Sequence, residues 1–565
     1  MKWVLKKTTD ENKANLLISE CNVPKPIADI LLNRGIDTPD ILHNFLNPTI
    51  EQLSDPFELP GMEKAVDRII SALRKKEKIG IYGDYDVDGV TASALLYHIF
   101  TKLGAHICWY IPSRVYDGYG LSKKGIEKLR DQGANLIVTV DCGVSSLTEI
   151  EYARSLGLDC VVTDHHELSE ELPNASAIIN PKIEGSPPST YYLAGVGVAF
   201  KLAQGLYTKL NMDIKSLYEH LDLVALGTAS DIVPIRGENR VLLKYGLQIA
   251  AKSKKIGLRI LLENCGLAGR RLSTATIVFG VGPRINSAAR IGSANAPFKL
   301  LTTYNFTLAT KLSKFLEEEN KKRKEIDEDL LNQAEEKLLA LDLDDWKKVI
   351  VLFDSNWHQG IIGIVAARIV DKYYKPTILL TAENGYVKGS ARSVSGFHIL
   401  DAIKSTQEHI IDAGGHRYAA GVKLDKSKIE DFRNALKKYA EINLPEKLLE
   451  KKLYIDAVLH KEDISMEMLK WVEQLAPYGP ENMRPVFATS NIEVIGEPRI
   501  VGTDHLQFRV MGDRKAYDVI AFGMGEMITK LRAKRTADIA YVLEVSDYFG
   551  YDELKLRVKD IKFPE

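Results

Sequence analysis

Between Ile79 and Thr91 the sequence reads I-G-I-Y-G-D-Y-D-V-D-G-V-T, a short apolar run ending in carboxylates at alternate positions, Asp84, Asp86 and Asp88. Three anions this close repel one another unless a positive charge sits among them, and hard divalent cations take oxygen ligands of this kind. Alternate residues of an extended segment share a face, so the carboxylates are expected to converge. Two more apolar runs end the same way, L-I-V-T-V before Asp141 and L-D-C-V-V-T before Asp164, which is followed at once by His165 and His166. A fourth acid, Asp231, closes the helical pattern L-D-L-V-A-L-G-T-A-S-D. Oxygen and imidazole donors without a thiolate suit Mn²⁺ or Mg²⁺, and these donors are too many for one ion. Two ions about 3.5 to 4 Å apart, sharing a carboxylate, would activate water and brace both oxygens of an in-line phosphoryl displacement.

The elements that must position these residues follow from periodicity. From Lys78 to about Pro234, short apolar runs alternate with helical patterns, which predicts a parallel α/β sheet. Open sheets of this kind bind ligands outside the carboxyl ends of their strands, so the acidic ends should share one edge. Residues 1–75 read as a helical lead-in and 76–300 as the catalytic domain. The charge-laced run within 301–345 predicts a long exposed helix joining two lobes. Residues 346–450 form a second, smaller α/β unit, and 451–565, with short strands between Gly, Asp and Pro, predict a β-barrel.

Composition narrows the function. A chain of 565 residues with 45% hydrophobic and 27% charged residues is too long for one core. A net charge of −1 excludes a blanket nucleic-acid binder, so any strand-binding groove must be locally basic. The five cysteines contain no C-x-x-C pair, which argues against disulfides and structural zinc and fits a reducing cytoplasm. No segment has the run of roughly 18 apolar residues that a membrane span needs.

Candidate phosphate contacts are Arg114, Arg284, Arg290, Ser390, Arg392 and His416, with glycines around Ser390 and His416 that permit close backbone approach. Trp357 and His358 are candidates to line a channel. In the barrel, Lys530, Arg532, Lys534 and Arg535 form a basic cluster, and Tyr548, Phe549 and Tyr551 an aromatic one.

G-D-Y-D-V-D-G, T-V-D-C-G, V-V-T-D-H-H and G-T-A-S-D-I-V-P resemble the four motifs of the DHH phosphoesterase family, and G-S-A-R-S with A-G-G-H-R-Y-A-A-G resembles its DHHA1 partner domain. W-H-Q-G-I-I-G-I-V-A-A-R, G-P-R-I-N-S-A-A-R-I-G and Q-L-A-P-Y-G-P-E-N, followed by a terminal barrel, resemble the RecJ exonucleases within that family. The resemblance implies a DHH domain and a DHHA1 domain joined by a long helix, with a C-terminal OB-fold. It implies 5′-to-3′ hydrolysis of single-stranded DNA to 5′-mononucleotides in recombination and repair, by a monomer supplied by a helicase and a single-strand-binding protein. Carried over, Asp86, Asp88, Asp141, His165 and Asp231 would be metal ligands with Asp141 the bridge. His166 would contact the scissile phosphate, Asp84 would join the metal or catalytic set, and the lobe of Ser390 and His416 would anchor the 5′ end. Tyr82 stands where related sequences often carry a histidine that helps hold one ion. Rival readings are a phosphodiesterase of short oligonucleotides or cyclic dinucleotides and an inactive replication scaffold.

Overall fold

The computed structural model describes residues 1–8, 10–113, 120–291, 295–383, 385–512, 515–546 and 553–563. The chain forms two compact units, one of residues 55–231 and 245–451, the other of residues 1–54, 232–244 and 452–565.

The larger unit holds two sheets. Strands β1 (Lys78–Gly83), β2 (His106–Tyr110), β3 (Leu136–Val140), β4 (Asp159–Thr163) and β5 (Ala177–Ile179) lie in the order β2-β1-β3-β4-β5. Every pairing is parallel. β1, β3 and β4 are therefore neighbours pointing the same way, and Asp84, Asp141 and Asp164 emerge at one edge. β3 is buried along its whole length, which explains its continuous apolar run.

The carboxylates after β1 converge by a different route from the expected one. Helix α1 (Val87–Lys102) begins within the D-x-D-x-D run itself. Asp86 is its N-cap, with Oδ1 accepting from the backbone N–H groups of Asp88 (2.9 Å) and Gly89 (3.1 Å). Only Asp84 leaves the strand, and Asp88 sits in the first helical turn, so alternation along an extended segment does not apply. Gly89 lets that turn close over the strand end, because a β-carbon there would lie 2.6 Å from the Asp84 carbonyl oxygen.

Beyond α2 (Gly195–Lys209) and α3 (Leu221–Ser230), helix α4 (Gly282–Ile291) leads toward α5 (Phe306–Leu339). At 34 residues, α5 spans about 50 Å. It was expected to be exposed, yet it buries a stripe that includes Ala309, Leu316, Leu330, Ala334 and Leu338. The second sheet comprises β6 (Ile350–Phe353), β7 (Thr377–Glu383), β8 (Tyr386–Arg392), β9 (Asp412–Gly415) and β10 (Ala419–Leu424), in the order β9-β10-β8-β7-β6. Helix α6 (Ile362–Tyr373) packs on it through Val365, Ala366 and Ile369.

In the smaller unit, strands β11 (Phe487–Val501), β12 (His505–Met511), β13 (Ala516–Ala521), β14 (Thr536–Ser546) and β15 (Glu553–Lys562) close into a five-stranded barrel through the β11–β14 pairing. A helix, α7 (Ile528–Lys534), connects β13 to β14. The N-terminal residues are not wholly helical, since Lys2–Leu5 is a strand paired with Lys452–Ile455. A knot ties 232–244 to Q-L-A-P-Y-G-P-E-N. The buried guanidinium of Arg240 lies 3.7 Å above the Phe45 ring and donates to the carbonyls of Phe45 (2.8 Å), Leu475 (3.0 Å) and Ala476 (3.0 Å). Burial brings its pKa down to about 9. Asn482 donates to the carbonyls of Leu475 and Pro477, both at 2.8 Å. Among the described residues, no helix is long and apolar enough to cross a membrane.

Candidate active site

Asp141 turns the chain off the end of β3 with a left-handed backbone, φ +61°, and its N–H donates to the Thr163 carbonyl at 3.0 Å. The Nε2 atom of His165 lies 3.2 Å from Asp141 Oδ1, 3.5 Å from Asp231 Oδ2 and 4.0 Å from Asp88 Oδ2. Asp141 Oδ1, His165 Nε2 and Asp231 Oδ2 are buried, and among the described residues none has a hydrogen-bond partner. Such atoms are costly in a folded protein unless a positive charge satisfies them, and this donor set fits a divalent cation. Three sets of donors can each gather within 4.8 Å: Asp84, Asp86 and Asp141; Asp88, His165 and Asp231; and Asp141, His165 and His166. Asp141 belongs to two of them.

Packing fixes these groups. Asp88 is almost wholly buried, and both its oxygens accept backbone N–H groups at the start of α2, from Gly195 at 2.6 Å and Val196 at 2.9 Å. Two glycines make room. A β-carbon at Gly195 would lie 2.6 Å from Asp141 Oδ1, and one at Gly227, on α3, 2.6 Å from Asp88 Oδ1. Gly195→Ala is expected to displace Asp141 and to cost at least about a hundredfold in metal-dependent hydrolysis, as ångström misplacements do, with the far-ultraviolet dichroism unchanged. A variant of wild-type activity would show that Asp141 need not sit where it does.

Electrostatics separate the site residues. Burial, with the charge of Asp86, pushes Asp88 up to about 7. Burial and neighbouring carboxylates, Asp88 first, push Asp141 and Asp231 well above the usual carboxylate range. Burial lowers His165 to about 3, which leaves a neutral ring suited to ligation. His166 behaves oppositely. Burial favours its neutral form, but Asp164, whose Oδ1 lies 2.7 Å from Nδ1, holds its pKa above an ordinary imidazole's. Asp164 also accepts the N–H groups of Val144 (2.9 Å) and His165 (2.7 Å). It therefore orients His166 and braces the strand end, a role that its place after β4 did not reveal.

Residues 78–228 match the model of the DHH family, N-terminal domain, 347–441 the DHHA1 domain, and 455–560 the RecJ OB domain. The chain is 34% identical to the single-stranded-DNA-specific exonuclease RecJ of Escherichia coli strain K12, over 89% of this chain and 90% of that protein. The chain belongs to the RecJ exonuclease family. The Bacillus subtilis RecJ is 33% identical over 100% of this chain and 71% of its own. The crystal structure of Thermus thermophilus RecJ in complex with Mn²⁺ superposes with a TM-score of 0.85 at 28% identity, covering 100% of this chain and 80% of that one.

In this chain the second lobe brings together part of the expected substrate set. A β-carbon at Gly363, in the first turn of α6, would lie 2.7 Å from Ser390 Oγ and 3.0 Å from Arg392 Nη2, so both side chains abut a helix N-terminus that favours anions. Arg290 donates to the Gly360 carbonyl at 3.0 Å, and the Gly360 N–H donates to His358 Nδ1 at 3.1 Å. His416 is exposed in the β9–β10 turn. Other candidates have structural partners. Arg284 pairs with Glu317 and donates to the Gly280 carbonyl. The Trp357 ring does not line a channel. It is buried among Leu338, Ile361 and Leu379 and donates to Gln333 at 3.0 Å, because its large apolar face completes that core. Arg532 and Arg535 pair with Glu497. Tyr82 turns into the core beside Tyr110, with its hydroxyl 3.2 Å from the Gly120 carbonyl, and supplies no donor to the edge. Arg114, Tyr548, Phe549 and Tyr551 lie outside the described residues.

Proposed function

We propose that the chain is a divalent-cation-dependent exonuclease that degrades single-stranded DNA from its 5′ end to 5′-mononucleotides, using two ions. The observation that carries this reading is the convergence of Asp141 Oδ1, His165 Nε2 and Asp231 Oδ2, buried and without hydrogen-bond partners among the described residues. Carboxylate oxygens and a neutral imidazole fit Mn²⁺ or Mg²⁺. Asp84, Asp86 and Asp141 would hold one ion, and Asp88, His165 and Asp231, with Asp141 shared, the other. Bound there, such ions acidify water and offset charge on phosphoryl oxygens.

The chain's own groups do the remainder. His165, neutral and buried, presents Nε2 to the centre, 3.2 Å from Asp141 Oδ1. His166, whose protonated form Asp164 favours, would donate from its outer edge to a phosphate oxygen and stabilise the charge that develops there. Ser390 and Arg392 at the start of α6, with His416, would receive the 5′-terminal phosphate and so set the direction of travel. Single strands as substrate are supported by the names of the relatives and by the OB domain. A role in recombination and repair follows, with a helicase and a strand-coating protein delivering substrate to a monomeric enzyme in the cytoplasm.

With Mn²⁺, a labelled single strand is expected to yield mononucleotides, a blunt duplex to resist, and His165→Ala to lose at least about a hundredfold. Equal activity of His165→Ala and wild type would remove this centre from the reaction. Faster turnover of dinucleotides than of long strands would favour a phosphodiesterase of short oligonucleotides.

A further inference from the structure

The helix containing G-P-R-I-N-S-A-A-R does not start regularly. Residues Thr274–Thr276 form one α-helical turn, Ile277–Val281 a π-helical turn, and α4 follows from Gly282. Pro283 accounts for the wider turn, since in a regular helix its ring would clash with the carbonyl four residues earlier, that of Phe279. The Gly282 N–H instead donates to Ile277, five residues back. Ile277 and Val281 are buried in this turn, while Phe279 between them is 80% exposed. An aromatic ring held so far from any core offers its face to something else.

Two observations say what. First, the turn adjoins the carboxylate centre: a β-carbon at Gly282 would lie 3.3 Å from Ser230 Oγ and 3.8 Å from Val87 Cγ2, and these residues precede Asp231 and separate Asp86 from Asp88. Second, the loop packed on the turn carries two arginines. A β-carbon at Gly280 would meet Leu267 at 3.4 Å, and Cys265 Sγ lies 3.8 Å from the Gly280 carbonyl, so the loop that carries the exposed Arg270 and Arg271 is seated on it. Arg284 braces the turn by donating to the same carbonyl. An exposed aromatic face on a turn packed against an arginine-bearing loop, at the edge of a phosphodiester site, matches what a single strand requires, stacking for its bases and positive charge for its backbone.

We propose that Phe279, with Arg270 and Arg271, is a binding step for the single strand next to the hydrolytic centre, where a nucleobase stacks on the phenyl ring and the arginines meet the phosphates. This rests on the reading of the chain as a single-strand nuclease and adds a contact that reading does not contain. The test is equilibrium binding of the full chain to fluorescent 20-nucleotide strands in a chelator, one of thymidines and one abasic throughout. Phe279→Ala is expected to weaken the thymidine strand about tenfold and leave the abasic strand unchanged, with Phe279→Tyr restoring the difference. Arg270→Gln with Arg271→Gln should flatten the salt dependence by about one to two charges on both strands. Equal loss on both strands for Phe279→Ala, or no loss on either, overturns the stacking role, and an unchanged salt slope overturns that of the arginines. Wild type that binds but does not cleave with Mn²⁺ would instead fail the nuclease reading and leave this contact standing.

Discussion

Asp141→Asn is expected to abolish Mn²⁺-dependent hydrolysis, by at least about a thousandfold, while raising the melting temperature of the chelated protein. The two effects have one origin. Asp141 is buried with Asp88, Asp86, Asp231 and Asp84 around it, and together they push its pKa well up. A carboxyl whose folded pKa exceeds its unfolded one destabilises the fold once it must ionise. The penalty is absent below the unfolded pKa of about 3.9 and grows as pH rises toward the folded value. Asparagine keeps the shape and removes the charge, so the chelated variant should lose that part of the pH dependence. Added Mn²⁺ should raise the melting temperature of wild type by ligand linkage and leave the variant nearly unmoved. A variant that melts lower than wild type in chelator and still responds fully to Mn²⁺ would show that Asp141 is not the shared ligand.

Arg240→Met is expected to destabilise the smaller unit by at least about 2 kcal/mol, because each carbonyl left buried without a donor costs about 1 to 3 kcal/mol. Those carbonyls belong to Phe45 and Ala476, while that of Leu475 keeps the amide of Asn482. Arg240→Lys should recover little, since one ammonium cannot span three acceptors set for a planar fork. Hydrogen exchange localises the effect in a chain of two units, and protection should fall around residues 466–482. Unchanged exchange there in Arg240→Met would mean that the knot is ornamental.

Much of this was legible in the sequence, for identifiable reasons. Continuous apolar runs ending in Asp84, Asp141 and Asp164 gave both the parallel sheet and the edge where its acids meet, because strand polarity places all such ends together. The D-x-D-x-D geometry was misread because an N-cap and an extended residue look alike in one dimension, and only the early start of α1 separates them. Asp164 hid behind its histidines, since an acid that ligates and one that orients have the same spelling. Trp357 and Arg240 could not be assigned from composition, for burial is decided by what packs against them. Phe279 carried one faint signal, the proline four residues on, whose effect on helix pitch is predictable while the exposure of the ring is not.

The glycines at 89, 195 and 227 bear on any attempt to transplant this chemistry. Each sits where even a methyl group would collide with a carboxylate or with the backbone beneath one. A scaffold given the acids and histidines at matching positions, but alanine at these three, would hold the donors too far apart to share a guest. The portable unit is the set of absences as much as the ligands.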